Sequence, residues 1–124
     1  MKKLLTLLLL VAAALTFNVA RAHGNMKPEH GGIVQMVGET SFELVALADK
    51  TEVYIAEDGE ALPSAGMTGK LIITSNGVKT EAVLVAAGDN KLEAKGVKIP
   101  GGAKVAVQLI RADQSRMGAN FTLK

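Results

Sequence analysis

Both histidines of this chain lie in one short stretch, Ala20-Arg21-Ala22-His23-Gly24-Asn25-Met26-Lys27-Pro28-Glu29-His30-Gly31-Gly32. If the residues before it are an export signal cut after Ala22, His23 starts the mature chain. Its α-amine and ring Nδ1 then form a chelate on one residue, and His30 supplies a third nitrogen. Amine and imidazole nitrogens suit Cu(II), whereas the thioether of Met26 suits Cu(I). Met36, Met67 and Met117 would join if they faced the same side; otherwise they fill the core, the usual place for methionine. The expected metal ligands are therefore His23, Met26 and His30. Copper is the leading ion, with zinc or another divalent cation as the alternative.

Catalysis has no comparable set of residues. There is no cysteine to act as a thiol nucleophile. A Ser-His-Asp triad would require His23 or His30 to be locked against a distant serine, which a Gly-rich tail does poorly. Gly96–Gly102 lacks the glycine spacing and following helix of a phosphate-binding loop. Glu57, Asp58 and Glu60 surround an Asp-Gly turn, where carboxylates are ordinarily solvated. With no residues filling the catalytic roles, the chain reads as a binding protein and not an enzyme.

Met1–Ala22 reads as a cleavable signal peptide. Lys2 and Lys3 precede the apolar run Leu4–Phe17, and Ala20 and Ala22 provide small residues at −3 and −1. The run is shorter than the ~20 apolar residues that span a bilayer, so no stable membrane insertion is expected after cleavage. The formal net charge of +2 for the whole chain is owed to this segment, since Lys2, Lys3 and Arg21 leave with it. The remainder carries slightly more acids than bases, interspersed along the chain. That is no footprint for nucleic acid.

The elements that must hold the ligands follow from alternation and turn residues. Residues 23–32 form a flexible tail and 33–124 a single β domain. Ile33–Val37 is a first strand. In Ser41–Ala48, Phe42, Leu44, Ala46 and Ala48 share one face, with Ser41, Glu43, Val45 and Leu47 on the other. Thr51–Glu57 follows, ended by Asp58-Gly59, and Glu60–Gly69 is a loop. Lys70–Ser75 and Val78–Ala86 flank Asn76-Gly77, the dipeptide suited to a type I′ hairpin turn. Lys91–Ala94, Ala103–Arg111 and Asn120–Lys124 complete the series, with Asp113–Gly118 as a turn. Recurrent glycine and short turn spacing disfavour helix even in Ala-rich pieces such as Glu81–Ala87. Seven or eight short strands in one domain predict an all-β fold, an antiparallel Greek-key sandwich or barrel, immunoglobulin-like in architecture. Without cysteines or tryptophan, its stability rests on Val, Ile, Leu and Ala, at roughly 1.5–3 kcal/mol per fully buried large aliphatic side chain.

The order of His30-Gly31-Gly32-Ile33-Val34, Phe42-Glu43-Leu44-Val45, Val53-Tyr54-Ile55 and Asp58-Gly59 resembles a known family. So does the continuation through Ala65-Gly66-Met67-Thr68-Gly69-Lys70 and Gly88-Asp89-Asn90-Lys91-Leu92. These segments resemble small periplasmic β domains found beside, or fused to, the adaptor subunits of heavy-metal efflux systems in Gram-negative bacteria. The resemblance implies a periplasmic location, a role in routing copper, zinc or related cations, and a heavy-metal efflux adaptor or other envelope protein as partner. It places a ligand at His30. The family's longer His-rich stretch is reduced here to His23 and Met26. The competing reading is a module that binds no metal and docks an envelope or efflux protein by strand addition at an exposed edge.

Overall fold

The computed structural model describes residues 27–124. The signal peptide, His23 and Met26 lie outside the described residues. Within them the chain forms β1 (Ile33–Val37), β2 (Thr40–Ala46), β3 (Lys50–Glu57), β4 (Glu60–Ala61) and β5 (Thr68–Ser75). It continues through β6 (Val78–Ala86), β7 (Lys91–Lys95), β8 (Lys104–Ile110) and β9 (Arg116–Thr122). No described segment is helical.

All strands join one antiparallel sheet in the order β1-β2-β3-β7-β6-β5-β8-β9, with β4 also pairing β3. The two ends of that order, β1 and β9, lie against each other, so the sheet curls into a nearly closed barrel. Strands β5, β6 and β7 run as a meander and β8 returns beside β5. That order, 8-5-6-7, is a Greek key.

The turns form where left-handed backbone is available. Asn76 and Gly77 both have positive φ (52° and 77°), as do Asp58 and Gly59 (52° and 79°). These are type I′ turns, whose twist matches that of the strands they join.

One face of every strand except β1 and β4 supplies the core. Phe42, Leu44, Val53, Ile55, Leu71, Leu84, Leu92, Val105, Val107 and Leu109 are almost fully buried. Met67, Ile99 and Ala103 complete the core from between strands. Buried polar groups pin the crossovers. Thr51 Oγ1 donates to the Val97 carbonyl at 3.0 Å. Ser64 is fully buried, and both its backbone N–H (2.8 Å) and its hydroxyl (3.2 Å) donate to the Asp89 carbonyl. Each such bond nets roughly 1 kcal/mol, but leaving the group unpaired would cost about 1–3 kcal/mol. The value of these bonds is mainly in fixing the crossover path.

The last strand begins earlier than its polar sequence suggests. The turn is confined to residues 112–115, where Gln114 has φ 74° and Asp113 accepts from both the backbone and the hydroxyl of Ser115. Arg116–Gly118 already pair with Gln108–Ile110. Gly118 is required there, because a Cβ would press on the Val107 carbonyl at 2.5 Å.

Candidate functional site

Alternation puts Glu43 on the face of β2 opposite Phe42 and Leu44, yet it is only 6% exposed. The cover is the segment before β1. Glu43 accepts the backbone N–H groups of Glu29 (3.1 Å), His30 (2.8 Å) and Gly32 (2.9 Å). Its Oε1 also receives His30 Nδ1 at 2.9 Å. Where a flexible tail is expected over 23–32, residues 29–32 are instead held on the sheet. The physical reason is a carboxylate in their path that satisfies several donors at once. Gly32 makes the close approach possible. A Cβ there would collide with the Leu44 carbonyl and come within 2.9 Å of Val45 Cγ2.

Register places Tyr54 of β3 directly opposite Glu43. The His30 ring stacks on the Tyr54 ring, with centroids 3.5 Å apart and planes 4° from parallel. Tyr54 in turn donates its hydroxyl proton to Glu52 Oε1 at 3.1 Å. Glu52 lies 3.4 Å from both Lys50 Nζ and Lys91 Nζ, and Lys50 also reaches Glu93 at 3.6 Å. The imidazole thus stands on a ring whose far end is tied into a charged network.

The electrostatics settle which atoms can donate. Burial opposes ionisation of Glu43, but the His30 side chain and the N–H groups of Gly32, His30 and Glu29 outweigh it and hold the carboxyl below its ordinary value. For Glu52, burial is likewise outweighed by the Tyr54 hydroxyl and the two lysines, and its carboxyl is also lowered. Burial, then Glu52 beside it, raises the Tyr54 phenol. Tyr54 is therefore a neutral platform near pH 7 and not a phenolate ligand. An ionised Glu43 can only accept, so His30 Nδ1 carries the proton that it donates. In the neutral ring the lone pair then belongs to Nε2. A carboxylate that orients a histidine through one nitrogen and leaves the other basic is the usual outer shell of a metal-bound imidazole.

His30, Glu43 and Tyr54 line a small surface cleft of about 60 Å³, and Met36 of β1 lines it too. The other two methionines among the described residues do not. Met67 is in the core, and Met117 packs against the core with its sulfur accepting Arg111 Nε at 3.2 Å. Among the described residues, no three His, Asp or Glu side chains gather as a metal cage. Of the ligands expected from sequence, His30 lines this cleft; His23 and Met26 lie outside the described residues. Glu43 and Tyr54 are the additions that sequence reading missed as parts of one site, and Met36, a conditional donor in that reading, is the methionine that shares the cleft. The available signal was a carboxylate on the partly apolar face of β2, with an aromatic residue on the next strand.

Glu57, one of the carboxylates at the Asp58-Gly59 turn, accepts Arg111 Nη2 at 2.8 Å. That ion pair ties β3 to the turn after β8. Among the described residues no helix is long and apolar enough to cross a membrane. Compared with protein-family models, curated proteins and solved structures, the chain matches none.

Proposed function

We propose that this protein is an exported copper-binding or copper-routing accessory domain of the heavy-metal efflux kind, with His30 as its anchored ligand. The observation that carries this reading is the fixed imidazole. Nδ1 is held by Glu43 and the ring is stacked on Tyr54, so in the neutral ring the lone pair is on Nε2. A pre-oriented nitrogen loses little freedom when it binds a cation, and a carboxylate on the other ring nitrogen fixes the orientation of the imidazole.

The described donors are an incomplete set, one imidazole and the Met36 thioether in the same cleft. The remaining donors in this proposal are Met26 and His23 with its amine. At no more than ~3.3–3.6 Å per residue, the chain from His30 can bring both back over the cleft. Nitrogen donors would hold Cu(II), and the two thioethers would favour Cu(I). The protein would carry the ion at its surface and present it to a partner.

Titration of the mature protein with Cu(II), followed by visible absorption and calorimetry, tests the reading. The His30→Ala variant is expected to bind much more weakly, and one residue added before His23 should abolish the amine–imidazole chelate. Equal affinity in the wild type and a His23/His30 double variant would overturn the proposal. Mass spectrometry of the exported protein checks that the mature chain starts at His23.

A further inference from the structure

Strand β6 is paired along its whole length on one side only. Its residues Val78–Val85 pair β5, but β7 meets it only at Val85 and Ala86. Among the described residues, nothing pairs the other edge between Val78 and Leu84. A groove of about 400 Å³ lies between the β5–β6 hairpin, lined there by Ile73, Ser75, Thr80 and Glu81, and the segment from Gly96 to Pro100. Residues 78–81 are all exposed, and Val78 and Val83 are 62% and 71% exposed.

The hairpin determines which backbone groups are unpaired. A two-residue type I′ turn makes Ser75 and Val78 a hydrogen-bonded pair. With the observed register, Ile73:Thr80, Leu71:Ala82 and Gly69:Leu84 are then hydrogen-bonded too. Lys79, Glu81 and Val83 therefore aim their N–H and C=O groups away from β5, into the open edge. An edge of this kind calls for another extended backbone.

We infer that this edge pairs with β6 of a second copy, antiparallel about a two-fold axis through Thr80. The outward-pointing residues must face one another, which leaves few registers. One sets Glu81 against Glu81 of the other copy, placing like charges directly opposite, which destabilises a sheet. Another sets Glu81 against Val83 and leaves Lys79 unanswered. The register about Thr80 sets Lys79 against Glu81 twice, Thr80 against Thr80, and Val78 against Ala82. It is self-complementary in charge and shape, as an isologous interface must be. Among the described residues, Glu81 has only an exposed pairing with Lys70, at 3.4 Å, which leaves its carboxylate able to reach the lysine of the other copy.

The test uses the absence of cysteine. Thr80→Cys places one thiol at the two-fold axis, in a non-hydrogen-bonded pair where opposing Cα atoms lie about 4.5 Å apart. Under mild oxidation this variant should form a covalent dimer at least about tenfold faster than Thr122→Cys, an exposed control on β9. Sedimentation of the native protein across a concentration series should show a reversible dimer. Lys79→Glu and Glu81→Lys should each weaken it about tenfold, and the double exchange should restore it to within about threefold, since opposite-charge pairs would be re-formed. A protein that stays monomeric at all concentrations would overturn the inference. So would equal cross-linking of the two cysteine variants, or a dimer indifferent to both charge exchanges. Retained β circular dichroism separates loss of pairing from loss of fold.

Discussion

Gly32→Ala is the sharpest perturbation of the segment that carries His30. Gly32 does not have the positive φ of its neighbour Gly31 (77°), so alanine there meets a steric obstacle and no backbone strain. The obstacle is the Leu44 carbonyl and the Val45 side chain, and a backbone carbonyl inside a paired strand cannot yield. The segment must then withdraw by about 1 Å, enough to break the 2.9 Å bond from Gly32 N–H to Glu43. Bonds to a charged group are worth roughly 1.5–3 kcal/mol each, and overpacking of this kind costs about 1–3 kcal/mol. The ceiling is set by undocking, because once residues 29–32 lift off they regain about 1–2 kcal/mol of backbone entropy each. The expected loss in denaturant unfolding is therefore about 1–3 kcal/mol, with the barrel intact. Amide exchange should show the Glu29 and His30 N–H groups losing protection while β5 and β8 keep theirs. The His30 ring resonances should lose the shift imposed by the Tyr54 face. If those amides and resonances are unchanged in the variant, the account of how the segment is held is wrong.

Glu43→Gln should flatten the acid limb of the stability curve. The folded carboxyl lies below its ordinary value of 4.5, so its contribution is complete above that value and is lost as pH falls through the lower folded value. Denaturant melts of both proteins between pH 7 and pH 3 check this, and the two curves should converge at the acid end. Gly77→Ala forces a side chain into left-handed backbone (φ 77°, with nothing within 4 Å). It should cost roughly 1–2 kcal/mol by strain alone, seen as a lowered denaturation midpoint. Leu71→Ala and Leu92→Ala, both at fully buried positions, should each cost about 2–5 kcal/mol. Thermal unfolding should not respond to dithiothreitol, since the chain has no cysteine.

Much of this protein is legible in its residues taken in order. Period-2 alternation put Phe42 and Leu44 on one face of their strand, and both are core residues. Asn76-Gly77 and Asp58-Gly59 determined two turns, because few dipeptides accept two successive positive φ values. These are local properties, readable within a few residues. The start of β9 was harder to read, since Arg116–Gly118 become a strand only by pairing with β8, which their own composition does not announce. Strand order is likewise non-local: that β7 joins β3 while β8 joins β5 depends on how the sheet closes and where Ile99 and Ala103 are buried. The site shows the division most clearly. Sequence singled out His30 as a nitrogen donor by residue type. Only the folded sheet placed Glu43, thirteen residues later, beneath its backbone and Tyr54 beneath its ring. A histidine's tautomer and orientation are set by what touches its other nitrogen and its face, and those contacts exist only after the strands have paired.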